Sequence, residues 1–543
     1  MDYYDLGRHH RKVTTASAEA QTWFDRGLVW LYAYHHEEAV ACFERALAAD
    51  PDCAMAQWGI AYAVGPNYNK PWEAFEPEEK AETVARAQAA IGAARALADR
   101  QSPADRALIE ALPTRCPDSP VEEFAPWNDA FADAMRAVHR AHPDDPDIAA
   151  LTAEALMNRT PWQLWDLRGG RPAEGADTLE AQAILERAIA LPGGWDHPGL
   201  LHMYIHLMEM SPHPERALRH GDRLCDLAPD AGHLIHMGTH IDVLCGDYLR
   251  VVERNARAIE ADRRWVDREG TGGFYTVYRC HNYHFKIYGA MFLGQPGPAL
   301  ETADELAASL PEPVLRPLAD WFEAFVPMKQ HVFIRFGMWR EILDQPLPED
   351  AELYAMTTAL MRYARTIALA NLGETAGAEA ERDAFAAAQA AVPESRMLFN
   401  NTCRDILGVA EAMMLGELEY HKGNVDAAFA HLREAVRRDD NLPYDEPWGW
   451  MQPARHALGA LLLEQGRLDE AEAVYRADLG LDPTLARACQ HPQNVWSLHG
   501  LHECLTRRGE EVEARHIRAQ LDRAAARADV PIRASCYCRR AAA

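Results

Sequence analysis

A 34-residue spacing of small and aromatic residues constrains this chain more than any other feature. Over Ala20 to Cys53, the positions Trp23, Gly27, Trp30, Ala39, Phe43, Ala46 and Pro51 recur in a fixed order. Small residues fall where two antiparallel helices would touch, and aromatics where the pair would leave a gap. Pro51 stops the second helix, because its ring clashes with a continuing turn. The spacing returns in Gly416, Ala428, Leu432 and Ala435, and again in Gly459, Ala471, Tyr475 and Pro483. Gly423-Asn424 and Gly466-Arg467 supply the turns at the helix junctions. A hairpin of this kind cannot bury its apolar face alone, so it stacks on its neighbours.

This spacing is the signature of a tetratricopeptide unit. Between the recognisable repeats the pattern degrades, but Ala-rich helical stretches persist over Glu82–Ala98, Thr178–Ala190 and Ala376–Ala391. Pro113–Pro126 and Arg168–Glu174 read as insertions between hairpins. No segment shows sustained strand alternation with hairpin turns. The expectation is an all-α chain: a tetratricopeptide-like helical-hairpin solenoid curled into a superhelix with a His-lined concave groove. Its expected segments are N-terminal repeats over 1–150, central His-rich repeats over 151–310 and linking hairpins over 311–400. C-terminal repeats follow over 401–530, then a Cys-containing tail over 531–543, all within one continuous body.

Charge narrows the partners. With 55 Lys+Arg against 82 Asp+Glu the formal charge is −27, a field that repels polyanions, so nucleic acid and anionic membranes are excluded as expected partners. No apolar run much exceeds Leu28 to Tyr34, far short of the ~18–20 residues that span a bilayer. The opening MDYYDLGRHHRKVTT lacks the apolar core of a secretion signal. Eleven scattered cysteines form no disulfide framework. A cytoplasmic protein with free thiols is expected.

The histidines carry the chemistry. Nine of 24 lie between His202 and His284, where a uniform spread would place about four. His202, His206 and Glu209 are spaced i, i+4 and i+7; His233, His236 and His240 i, i+3 and i+7; His281 and His284 i and i+3. Each set occupies one helix face. His202 to His236 and His206 to His240 are each one 34-residue period apart. All three segments precede a turn and a second expected helix, over Pro212–Leu227, Asp247–Val266 and Pro298–Leu310. They therefore read as the first helices of successive hairpins, which line the inner surface of such superhelices. Packed helices stand ~8–10 Å apart, a gap that imidazoles from both sides can close onto an ion. His202, His206, His236 and His240 lead as ligands, followed by His284, His281 and His233. Glu209 would serve as ligand, orienting carboxylate or general base.

Other residues are secondary candidates. Asn67, Asn69, Asn158 and Arg159 lie in aromatic, non-repeat stretches and would orient a small substrate or plug loops; Tyr444–Arg455 reads the same way. His35-His36 would end the first helix of the first unit, where the dipole favours a cation. His213 and His220 read as solvated positions on a second helix. Cys536 and Cys538 form a Cys-x-Cys pair that would hold a soft metal if the tail folds inward.

Several stretches together resemble a family of bacterial tetratricopeptide-repeat proteins related to tetratricopeptide repeat protein 38. They are the N-terminal segment from Trp23 to Asn69, HMYIHLMEMSPHPERAL, GHLIHMGTHI, HNYHF, EPWGWMQPARHALGALLLEQG and the terminal SCYC. The resemblance covers nearly the whole chain and implies a helical repeat fold, without implying a reaction. Where the family pattern HMPSHI has Pro-Ser, this chain has Gly238-Thr239.

The expected function is a metal-dependent enzyme holding one or two Fe, Zn or Cu ions and acting on a small polar metabolite. Zinc implies hydrolytic or lyase chemistry; iron or copper implies oxygen-dependent chemistry. The alternatives are an adaptor for a peptide or protein partner and a metal-storage or sensing protein. No phosphate-binding loop, dinucleotide fingerprint or Gly-x-Ser-x-Gly elbow is present.

Overall fold

The computed structural model describes residues 3–118, 121 and 123–539. Helices account for nearly all regular structure. The extended elements among the described residues are two short antiparallel hairpins, Trp165–Asp166 with Arg171–Pro172 and Met397–Leu398 with Asn401–Thr402, and one Asn67–Lys70 bridge. The first hairpin forms the expected insertion Arg168–Glu174. Of the expected insertion Pro113–Pro126, residues 119, 120 and 122 lie outside the described residues.

The chain divides into two compact units, one of residues 1–241 and 257–275, the other of 242–256 and 276–543. In the first, helix Ala18–Tyr32 pairs with His36–Ala49, and Ala54–Val64 follows. Phe43 explains why this register needs glycines. A Cβ on Gly27 would sit 2.6 Å from the Phe43 ring, and so would one on Gly59. The ring is fully buried between two helices that approach closely only because neither carries a side chain there. Prolines then mark helix starts: Pro77–Ala96, Pro103–Ala111, Pro146–Met157 and Pro198–Glu209 each open on proline, where a missing N–H costs nothing.

The second unit repeats the device. Tyr475 of Leu468–Asp478 lies against Gly459 of Ala454–Glu464 and Gly500 of Val495–Arg508, where an added Cβ on either glycine would collide with its ring. The expected turns are present: Cys403–Lys422 ends at Gly423 (φ 90°) before Val425–Asp439, and Gly466 (φ 72°) separates Ala454–Glu464 from Leu468–Asp478. Both glycines take the left-handed conformation that caps a helix. The Ala-rich stretches are helices Pro77–Ala96, Thr178–Ala190 and Thr375–Ala391.

Two expectations need correction. The helix expected over Pro212–Leu227 is broken into a 3-10 turn, Pro214–Ala217, and the short helix Leu218–Leu224. Each proline disfavours the helical conformation in the residue before it, and His213, before Pro214, is non-helical at φ −135°, ψ 53°. Within it, a Cβ on Gly221 would lie 2.8 Å from the Gly238 Cα. The departure from HMPSHI at Gly238 thus sits where two backbones touch. His35-His36 does not end the first helix: that helix stops at Tyr32, and His35 caps the next, its Nδ1 accepting from the Glu38 N–H at 3.4 Å.

Candidate metal centre

In the first unit, residues of two helices bring six sequence candidates together. Pro198–Glu209 supplies His202, His206 and Glu209; Gly232–Leu244 supplies His233, His236 and His240. All six side chains are buried. Ring centroids stand 4.8 Å apart for His202 and His206, 5.0 Å for His202 and His233, 5.8 Å for His206 and His240, and 4.8 Å for His236 and His240. Nitrogens of His202, His206 and His233 lie within 4.8 Å of one another, and so do ligand atoms of His206, Glu209 and His240.

Hydrogen bonds fix which nitrogen of each ring is available. His202 Nδ1 donates to the Tyr32 carbonyl at 2.6 Å, and a carbonyl only accepts. Its Nε2 is therefore the lone-pair nitrogen, and it has no hydrogen-bond partner. Glu209 holds two rings at once: Oε1 lies 3.0 Å from His206 Nδ1 and Oε2 2.8 Å from His240 Nδ1. As a carboxylate it accepts both protons and leaves Nε2 of each ring as the donor to an ion, the arrangement by which carboxylates orient metal-binding imidazoles. His206 Nε2 likewise has no hydrogen-bond partner. The His240 and His236 Nε2 atoms face each other at 2.9 Å, so a proton or a shared cation must lie between two lone pairs. Thr239 Oγ1 donates to the His236 carbonyl at 2.7 Å, bracing the helix beside the pair.

Burial sets the charge state. The imidazoles of His202, His206 and His233 are pushed well below their ordinary value, first by loss of water and then by neighbouring histidines. They are neutral at pH 7, the form that binds metals.

A cavity of about 400 Å³ in the same unit is lined by Tyr34, His36, Glu37, Asn67, Lys70 and Phe75, among others. Tyr34 belongs both to this wall and to the histidine cluster: its ring centroid is 4.6 Å from His202, 6.0 Å from His206 and 5.8 Å from His233. Its backbone is left-handed at φ 55°, a conformation that costs a bulky residue about 1–3 kcal/mol and persists only where packing enforces it. Sequence reading missed Tyr34; an aromatic immediately before His35-His36 at a helix junction was the available signal. It also missed Tyr68, 4.9 Å from His206 by ring centroid, whose hydroxyl accepts from the Trp162 N–H.

Asn67 lines the cavity, its Oδ1 accepting from the N–H groups of Asn69 and Lys70 at 2.9 and 2.8 Å. Asn158 is buried, Asn69 half-buried, and Arg159 is engaged by Asp129 and Asp177. His35 is buried and His36 half-buried, and both are pushed down to about 3, chiefly by loss of water, so neither is the solvated cation that the dipole argument favoured. His213 is exposed, but His220 packs on Trp195 and Tyr204 and is lowered to about 4, chiefly by burial. His281 and His284 belong to the second unit, where His284 Nε2 is 2.8 Å from Met451 Sδ. The stretch from Tyr444 to Arg455 lies there too, with Asp445 and Glu446 buried and their carboxyls raised well above the ordinary value by burial.

A second cluster, unsignalled by spacing, surrounds Asp147. Its carboxylate accepts from Tyr32 at 2.7 Å, His197 at 3.0 Å, His9 at 3.1 Å and Arg11 at 3.2 Å. Burial alone would raise Asp147, yet His9 and His197 hold it well below its ordinary value. With Arg11 already against it, this carboxylate has its counter-charge and ties the N-terminal segment to helix Pro146–Met157.

Residues 20–53 and 453–485 each match a tetratricopeptide repeat model. No curated protein matches the sequence. Similar solved structures include the APC/C Cut9–Hcn1 hetero-tetramer (12% identity, 90% of this chain and 76% of that one, TM-score 0.32). The human IFIT1 dimer with PPP-AAAA (11%, 92% and 89%, TM-score 0.34) and yeast Tom70 (11%, 91% and 89%, TM-score 0.28) are others. No described helix is long and apolar enough to cross a membrane. The chain contains tetratricopeptide repeats within a nearly all-helical fold.

Proposed function

We propose that the first unit holds one or two divalent first-row ions and works as a metal-dependent enzyme on a small polar metabolite. The carrying observation is the Glu209 carboxylate pinning Nδ1 of both His206 and His240, beside unpaired, buried Nε2 atoms on His202 and His206. Burying lone pairs and a carboxylate together is costly without a cation to complement them. His202, His206, His233, His236 and His240 would hold the metal, with Glu209 as positioning residue.

Zn, Fe or Cu suits a histidine-dominated set, zinc supplying hydrolytic or lyase chemistry and iron or copper oxygen-dependent chemistry. The cavity beside Tyr34 would admit the substrate, with Asn67 and Lys70 contributing polar and cationic contacts. The His motifs further support membership of the family related to tetratricopeptide repeat protein 38, and the free buried thiols support a cytoplasmic setting. The test incubates metal-loaded protein and its H206A/H240A variant with a polar metabolite extract. Consumption of one metabolite class by the loaded wild type alone is expected. Equal consumption by both would sink the enzyme.

The two matched repeats favour a second reading, an adaptor for a peptide or protein. Stable capture of one partner by metal-stripped protein, undiminished in H206A/H240A, would select it.

A further inference from the structure

The Cys-x-Cys tail docks within the second unit. Ser535 Oγ donates to the His456 carbonyl at 2.9 Å and lies 2.6 Å from the Tyr475 hydroxyl, while Arg335 donates to the Ser535 carbonyl at 2.6 Å. Tyr537 packs on Gly337, and Arg539 pairs with Glu503 at 2.7 Å. This seats Cys536 and Cys538, both buried, beside the buried carboxyl of Glu417 on helix Cys403–Lys422. The two sulfurs and a Glu417 oxygen lie within 4.8 Å of one another, and the Cys538 N–H donates to Cys536 Sγ at 3.2 Å. In the structure the sulfurs are joined as a disulfide.

A disulfide offers a carboxylate nothing: it carries no charge and donates no proton. Two thiolates and a carboxylate, by contrast, make a donor set for a thiophilic divalent ion. The surrounding charge fits that state. The Arg335 guanidinium is buried, donates to His456 Nδ1 at 2.8 Å and to the Ser535 carbonyl, stacks on Trp496 and makes no ion pair among the described residues. A divalent ion on three anionic donors leaves one net negative charge, which this cation complements.

We propose that reduced Cys536 and Cys538, with Glu417, form a second metal site selective for thiophilic divalent ions, which the disulfide excludes. Opening it requires a dithiol or phosphine reductant: two electrons and two protons convert the S–S bond into two thiols. Ion binding then releases both thiol protons. The test uses Cd2+ as probe, because its thiolate charge-transfer absorption in the ultraviolet is silent for histidine ligands. With reduced full-length protein, one equivalent of this band is expected, absent from the oxidised protein and from C536S/C538S. That variant also controls for the nine other cysteines, all free. E417Q is expected to keep the band and lose tenfold or more in Cd2+ affinity. An unchanged band in C536S/C538S, no band in the reduced wild type, or unchanged affinity in E417Q would overturn the proposal. Wild-type thermal unfolding of the reduced, metal-free variants confirms that each folds.

Discussion

At the scale of single residues, the centre depends on one carboxylate. Gln at position 209 preserves shape but offers one acceptor where two rings need one each. One imidazole would then face an amide N–H and turn its own proton toward the ion. E209Q is expected to weaken metal binding about 10–100-fold, read by competition with a chromophoric chelator; unchanged affinity would remove Glu209 from the centre. A second expectation concerns His36, lowered to about 3 by burial and then by Arg115. Its folded value lies below the ordinary 6.5, so its stability contribution is complete above pH 6.5. It is lost as pH falls toward 3, because the unfolded chain takes the proton first. At pH 5 the loss is about 2 kcal/mol, from 1.36 kcal/mol per pH unit. The stability of wild type relative to H36Q, by urea unfolding of metal-free protein, should fall by that amount between pH 7.5 and 5. A constant difference would mean that His36 is solvated when folded.

At the scale of elements, the hairpins hold through close approach. Phe43 fills the space that Gly27 and Gly59 vacate. Gly59→Val drives a branched side chain into that ring and is expected to cost about 1–3 kcal/mol by overpacking. If the ring is the obstacle, F43L and G59V together should cost less than their sum by at least about 0.5 kcal/mol. Strict additivity in urea unfolding would place the clash elsewhere. The Gly27–Phe43 half of this packing was legible in the sequence, since small and aromatic residues at fixed offsets state the constraint directly; Gly59, outside that unit, was not singled out. The helix broken over Pro212–Leu227 was not, because apolar spacing there stays helical while Pro212 and Pro214 disfavour the helical conformation in the residues before them. The faces of His202, His206, His236 and His240 followed from the 34-residue period. The bridging of two imidazoles by Glu209 did not, since side-chain direction across two helices is a tertiary fact. Tyr34 escaped for the same reason.

At the scale of the whole molecule, two repeats near opposite ends were readable, while the division into two compact units was not. Two of its three crossings fall inside helices Gly232–Leu244 and Tyr248–Glu269 and the third just before helix Thr276–Leu293, so at two of the three composition gives no mark of it. Metal bound to the folded first unit alone should stabilise it by mass action, about 2.7 kcal/mol at free metal one hundred times the dissociation constant. Chelation is therefore expected to lower one thermal transition in calorimetry; transitions indifferent to chelator would deny that coupling.

The decisive measurement is elemental analysis by inductively coupled plasma mass spectrometry. It would compare untagged protein, purified anaerobically without chelators under oxidising thiol conditions that close the tail pair, with H202A/H206A. One or two equivalents of a single first-row metal in the wild type, lost in the variant, is the expected result. Metal-free wild type, or equal metal in both, would contradict a centre built on these histidines.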